Sequence, residues 1–203
     1  FAITMNDDSP EWKLMARLAD RLRRHGTITI RGARLERWDD EVDNVLALLN
    51  KATAHLTDFI PWQRAALDEM LSSFRTIADP ELILFAEVDG QAVGFFPAIP
   101  NLNEVFYRVN GLRRPWDYLK LLYYMRRPTK SLTIKSVLVL PEYWNMGVGV
   151  LLFDEMRRRV KGLGYEWADL SLTSADNPAT PGLAERMGAK IYKRYRVYRK
   201  DIT

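Results

Sequence analysis

The chain of 203 residues contains no cysteine and only two histidines, His25 and His55. The first absence excludes disulfide scaffolds, cysteine nucleophiles, thiolate zinc clusters and iron–sulfur centres; the second excludes a histidine-rich metal site. Long apolar runs are scarce as well. Leu82 to Ala86 is typical of them, far short of the roughly 20 residues that cross a bilayer. The first residues lack the basic, apolar and small-residue layout of a signal peptide. A cytoplasmic location with no membrane partner is therefore expected. Repeats, low-complexity tracts and Ser/Gly linkers are missing too, which argues for one domain. Because the chain starts at Phe1 without an initiator methionine, a segment ahead of it is expected, and residues 1–26 read as a lead helix left over from that segment.

What is present is ordinary for a globular domain, with 47% apolar and 28% charged residues. Thirty Lys and Arg against 26 Asp and Glu give a net charge of only +4, but the excess is unevenly placed. Arg186 to Lys200 holds seven basic residues and no acid, and Arg108 to Lys135 holds eight against the single Asp117. Each stretch is either a solvated face or an attractive field for an anionic ligand.

Periodicity orders the elements. Ser9 and Pro10 start a helix over Glu11 to Arg24, with Leu14, Leu18 and Leu22 four apart and Gly26 at its end. Thr27 to Arg31 alternates as a strand, and two helices follow, carrying Val42, Val45, Leu46 and Leu49, then Leu67, Met70, Leu71, Phe74 and Ile77. Asp89-Gly90 joins the strands Leu82 to Val88 and Gln91 to Ile99 as a hairpin. An insertion over 101–130, dense in aromatics and arginines, has one short helix from Pro115 to Met125. A strand from Thr133 to Leu140, a helix from Gly147 to Leu163 and a strand from Trp167 to Thr173 come next. A helix from Ala179 to Met187 and a strand from Ile191 to Arg199 complete the chain. This order predicts an α/β (α+β) fold in which a mixed sheet is flanked by helices.

One segment carries chemistry. After the apolar run Val137-Leu138-Val139-Leu140 comes Pro141-Glu142-Tyr143-Trp144-Asn145-Met146, and then Gly147-Val148-Gly149-Val150 opens a helix. A helix N-terminus leaves backbone N–H groups unpaired at a partial positive charge, and glycine lets an anion approach the backbone, so the loop is a candidate phosphate cradle. It is neither the dinucleotide fingerprint, which needs a third glycine, nor a P-loop, which needs Gly-Lys-Ser/Thr.

The stretch resembles the acetyl-coenzyme A loop of the GNAT-type N-acyltransferases, in which a strand and Pro-Glu-Tyr lead through Arg/Gln-x-x-Gly-x-Gly/Ala into a helix. Leu183-Ala184-Glu185-Arg186-Met187-Gly188-Ala189 is similar to their Leu-Tyr-Glu-Lys-Leu-Gly-Phe segment, and the element order matches from Thr27 to Arg199. The resemblance implies a GNAT-like domain over 27–203 with an insertion at 101–130. Its sheet would be mixed and mostly antiparallel, with a splayed strand pair for the cofactor. The pantetheine arm would pair with backbone at Leu138 and Val139, the diphosphate would sit on the amides of Asn145, Met146, Gly147, Val148, Gly149 and Val150, and Asn177 would bind the cofactor arm. No metal is implied.

The same resemblance implies an N-acetyltransferase: an acceptor amine attacks the thioester of acetyl-coenzyme A directly, in a ternary complex. Trp144 stands where the family has Arg or Gln, Met146 where it has a cation, and Ala184 where its acidic tyrosine lies. No catalytic residue is assigned; Glu87, Glu104, Tyr107 and Tyr192 are conceivable but read more simply as surface carboxylates or packing residues, and Asp58, in the region that in this family borders the acceptor, more simply as a helix cap. General acid–base help contributes about 10²–10⁴-fold, so transfer can survive without it. The expected partner is a small-molecule amine carrying an acidic group that Arg113, Arg114, Arg126 and Arg127 would attract. The alternative is a weak or inactive acyl-coenzyme A binding module, half of a tandem protein. Nucleic-acid binding by the insertion is disfavoured, because its helix would bury Trp116, Leu119, Leu122 and Tyr123 on one side.

Overall fold

Asp89 and Gly90 take φ values of 50° and 78°, the positive pair that a two-residue hairpin turn needs. They fold β3 (Ile83–Val88) onto β4 (Gln91–Pro100) in antiparallel register. In the computed structural model, which describes residues 1–5, 8–55, 59–75, 78–109, 111–127, 129–171, 179–196 and 198, this hairpin is the middle of a seven-stranded sheet. β2 (Ile28–Gly32) lies antiparallel on the outer edge of β3. On its other edge β4 pairs with β5 (Ser131–Ile134) and, nearer its start, with β6 (Leu138–Val139). The expected strand over 133–140 is thus two pieces separated by residues 135–137. β5 runs parallel to β7 (Trp167–Asp169), which pairs antiparallel with β1 (Ala2–Thr4). The sheet is mixed and mostly antiparallel, as expected.

Alternation along β3 and β4 assigns the two layers. Phe85 and Phe95 stand opposite each other with ring centroids 4.9 Å apart. Their face also carries Arg31, which bonds Glu87 (2.7 Å) and Glu41 of α2 (Trp38–Thr53). Ala86, Gly94 and Phe96 point the other way, to α6 (Val148–Val160). Gly94 is required there, since a Cβ would come within 2.9 Å of Val148 Cγ1 and 3.2 Å of the Ala86 Cβ. α3 (Arg64–Arg75) is tied to α2 by Arg64, which meets Asp39, Asp43 and Asp68.

Residues 1–25 are built into this layering. α1 (Pro10–His25) is capped by the Ser9 hydroxyl and covers α6: Asp154, 2% exposed, accepts from Arg23 (2.7 Å) and Arg158 (2.8 Å). Its buried face is Trp12, Met15 and Ala19, whereas the expected Leu14 and Leu18 are exposed. The Trp12 indole donates to the Thr4 carbonyl (2.8 Å), fastening α1 to β1. That three-residue strand takes the β7 edge, and beyond a single bridge at Lys190 the described residues of the expected strand Ile191 to Arg199 form none. α7 (Ala179–Arg186) precedes that bridge.

The insertion is a pair of helices, α4 (Leu102–Val109) and α5 (Pro115–Met125). Glu104 anchors it by accepting from the amides of Lys130 (2.9 Å) and Ser131 (3.0 Å) and from the Ser131 hydroxyl. Asp117 is buried, accepting from the Arg113 and Arg114 amides at 3.1 and 2.9 Å. The expectation that α5 buries Trp116, Leu119, Leu122 and Tyr123 is overturned: all four are exposed. α5 meets the protein through α4, and little else covers it.

Candidate active site

The site begins with how α6 starts. Gly147 is its N-cap at φ 80°, a left-handed conformation costly for other residues, and a Cβ there would collide with Leu22 of α1. Leu151 is the first residue of the helix to bond back, to the Gly147 carbonyl (3.1 Å). The amides of Val148, Gly149 and Val150 therefore point along the axis without intrahelical partners. Beyond its chain neighbours and the helix's own backbone, no atom lies within 4 Å of where a Gly149 Cβ would be, so that face of the first turn is open. The Met146 amide is engaged within the turn, donating to the Tyr143 carbonyl at 3.1 Å, which narrows the expected cradle toward the helix start.

The adjoining strand edge is defined by pairing. The Leu140 amide donates to the Val93 carbonyl (3.0 Å), and Leu138 stands opposite Phe95. By the alternation of an antiparallel ladder, Leu138 and Leu140 exchange bonds with β4 while Val139 turns its N–H and C=O to the free edge. Of the two residues expected to meet the pantetheine, only Val139 offers its backbone. The Trp144 indole donates to that carbonyl at 2.8 Å, and His55, at the end of α2, packs edge-on against Trp144 with centroids 5.4 Å apart. Both contacts escape sequence reasoning: Trp144 is legible only as a departure from the loop's pattern, and His55 comes from a distant part of the chain.

Where β6 leaves β4's partner row, β7 does not follow it. Thr133 opposite Asp169 is the last pair between β5 and β7 among the described residues; residues 172–173 of the strand expected to splay lie outside them. Beside that pair the Tyr192 hydroxyl donates to Asp169 Oδ2 (2.6 Å), next to Trp167. Burial first, then the bond to Asp169 and its charge, push the Tyr192 phenol above its ordinary value, so it is held as a proton donor. Glu87 is paired with Arg31, Glu104 is an anchor of the insertion, and Tyr107 is 89% exposed. Ala184 is buried. Asn177 and Asp58 lie outside the described residues.

The outward edge at Val139 and the start of α6 both lie within a stretch that a known family matches. The family model described as Acetyltransferase (GNAT) family matches residues 45–189. The chain belongs to that family. Its members are N-acetyltransferases with acetyl-coenzyme A as donor. Among curated relatives, the chain is similar to a bacterial ceramide synthase of Caulobacter vibrioides, 29% identical over 180 residues, covering 86% of this chain and 47% of that protein. It is similar also to the protein YghO of Escherichia coli, 26% identical over 198 residues, covering 93% and 49%. The chain thus spans about half the length of the curated relatives it matches. Among solved structures, the aminoglycoside N-acetyltransferase AAC(6')-Iy in complex with CoA has the same fold, with a TM-score of 0.54 at 19% identity over 86% of this chain and 95% of that one.

Proposed function

We propose that this GNAT-family chain transfers an acetyl group from acetyl-coenzyme A to a primary amine by direct attack in a ternary complex. The observation that carries the reading is the outward-facing backbone of Val139 next to the open amides of Val148 to Val150. Bound acetyl-coenzyme A supplies an activated thioester that an amine can attack without a covalent enzyme intermediate. The chain's own part is positional: the α6 amides hold the diphosphate, and the Val139 edge aligns the arm as an added strand.

The acceptor is a small amine, and the exposed arginines of the insertion favour one bearing a carboxylate or phosphate. Likeness to a protein named as a ceramide synthase adds long-chain amino alcohols to the classes worth testing. Calorimetric titration with acetyl-coenzyme A, followed by thiol release with acidic amines, polyamines and a long-chain amino alcohol, tests the reading. Saturable binding with thiol release that depends on an amine is expected. Absence of binding at millimolar donor refutes it, and binding without release by any amine favours the binding-module alternative.

A further inference from the structure

α5 presents a surface that a domain in water ordinarily hides. At about 100° per residue, Met125, Tyr118, Leu122, Leu119, Tyr123 and Trp116 fall on one contiguous half of the helix, and they are 44–71% exposed. The opposite half, with Asp117, Leu121 and Tyr124, faces inward. On α4, Phe106 and Tyr107 are exposed as well. Exposed cations ring the face of α5: Arg113, Arg114, Lys120, Arg126 and Arg127. Two of them lie over its own aromatics, Arg127 on Tyr123 (4.6 Å) and Arg114 near Trp116 (5.9 Å). The sole acid from Arg108 to Lys135 is Asp117, which is buried against backbone amides. From Arg108 to Lys135 every exposed charge of the described residues is a cation.

We propose that the hairpin of α4 and α5 docks on an anionic lipid surface, its outer half entering the boundary between headgroups and acyl chains and its cations meeting lipid phosphates. Three considerations select this occupant. Tryptophan and tyrosine with flanking arginine and lysine are the side chains that settle at a bilayer interface. A second copy of this chain would bring the same cations against each other, which opposes self-association through this face. A nucleic-acid strand would use the cations and aromatic planes but leave Leu119, Leu122 and Met125 without stacking partners. Among the described residues no helix is long and apolar enough to cross a membrane; lying on its surface demands only one apolar face. The proposal draws on the same arginines as the acidic-acceptor reading but requires neither that acceptor nor catalysis.

Vesicle flotation tests it. The full chain, at about 0.1 M salt, is mixed with vesicles of phosphatidylcholine alone or with one-third phosphatidylglycerol. Binding to the anionic vesicles is expected, weakened about tenfold or more by Leu119→Ser with Leu122→Ser, and weakened again by raising salt to about 0.5 M. Those side chains are solvent-facing, so an unchanged melting temperature accompanies the loss. Trp116→Phe should remove part of the blue shift in tryptophan emission that vesicles cause. Failure to float with either vesicle overturns the proposal, as does flotation that the double substitution leaves intact. Dimerisation or oligonucleotide binding abolished by the same substitutions, without vesicle binding, would assign the face to those partners instead.

Discussion

Single residues decide how open the cofactor site is. A Gly149→Val side chain would occupy the open face of the first turn of α6, so acetyl-coenzyme A affinity should fall at least tenfold with little change in melting temperature, as calorimetry and thermal melts would show. Gly147 is no substitute for this test, because its positive φ and Leu22 make any side chain disruptive to the fold itself. Trp144 works in the opposite sense. Its indole holds the Val139 carbonyl that an incoming amide would need, and one hydrogen bond is worth about 0.5–1.5 kcal/mol net. Trp144→Phe keeps the ring without the donor and should tighten donor binding by about 2- to 10-fold. Tyr192 supplies a pH dependence. Its phenol is raised above its ordinary value of 10.0, so the native state resists losing that proton while the unfolded chain does not. Its contribution to stability is therefore full below pH 10 and is lost as pH rises through the native value. Melting temperature should decline above about pH 10, and less steeply in Tyr192→Phe. Little of this was legible in the sequence. The glycines could be read because spacing and backbone freedom announce them, but Trp144 and His55 meet through space, from two different elements, and no local pattern encodes that.

At the scale of elements, legibility follows the range of the forces involved. The β3–β4 hairpin was readable from Asp89-Gly90 because a two-residue turn is a local matter of φ, and α5 was bounded correctly from Pro115 to Met125 by its flanking signals. Its burial was not, since the same apolar periodicity serves a buried helix or one facing outward, and only the rest of the fold distinguishes them. β1 has too few residues to show a period, and the interruption between β5 and β6 depends on which groups of β4 lie opposite. The seating of α6 on β4 is a further long-range feature, carried by Gly94. Gly94→Val would force Val148, Ala86 and Leu152 apart, and overpacking of this kind costs about 1–3 kcal/mol. Urea denaturation should report that loss, together with weaker donor binding, because the displaced helix carries the amides of Val148 to Val150.

Across the whole molecule, the two ends of the described chain meet at one sheet margin. β1 lies between β7 and the bridge at Lys190, the Leu170 amide donates to the Phe1 carbonyl (2.9 Å), and α1 reaches from there to α6 and the Gly147 turn. α1 thus braces the turn before α6, through Leu22 and through Arg23 on the buried Asp154. Removing residues 1–5 would take away β1 and the Thr4 carbonyl that holds Trp12, and the melting temperature should fall by several degrees. The strand has one more consequence. β7 is parallel to β5 on one side and covered by β1 on the other; stripped of that cover, its row of unpaired amides and carbonyls becomes a template on which any extended peptide can add itself. Light scattering of the shortened chain should then show concentration-dependent oligomers, and a synthetic peptide of residues 1–5 added in excess should disperse them, marking β1 as a built-in plug against uncontrolled growth of the sheet.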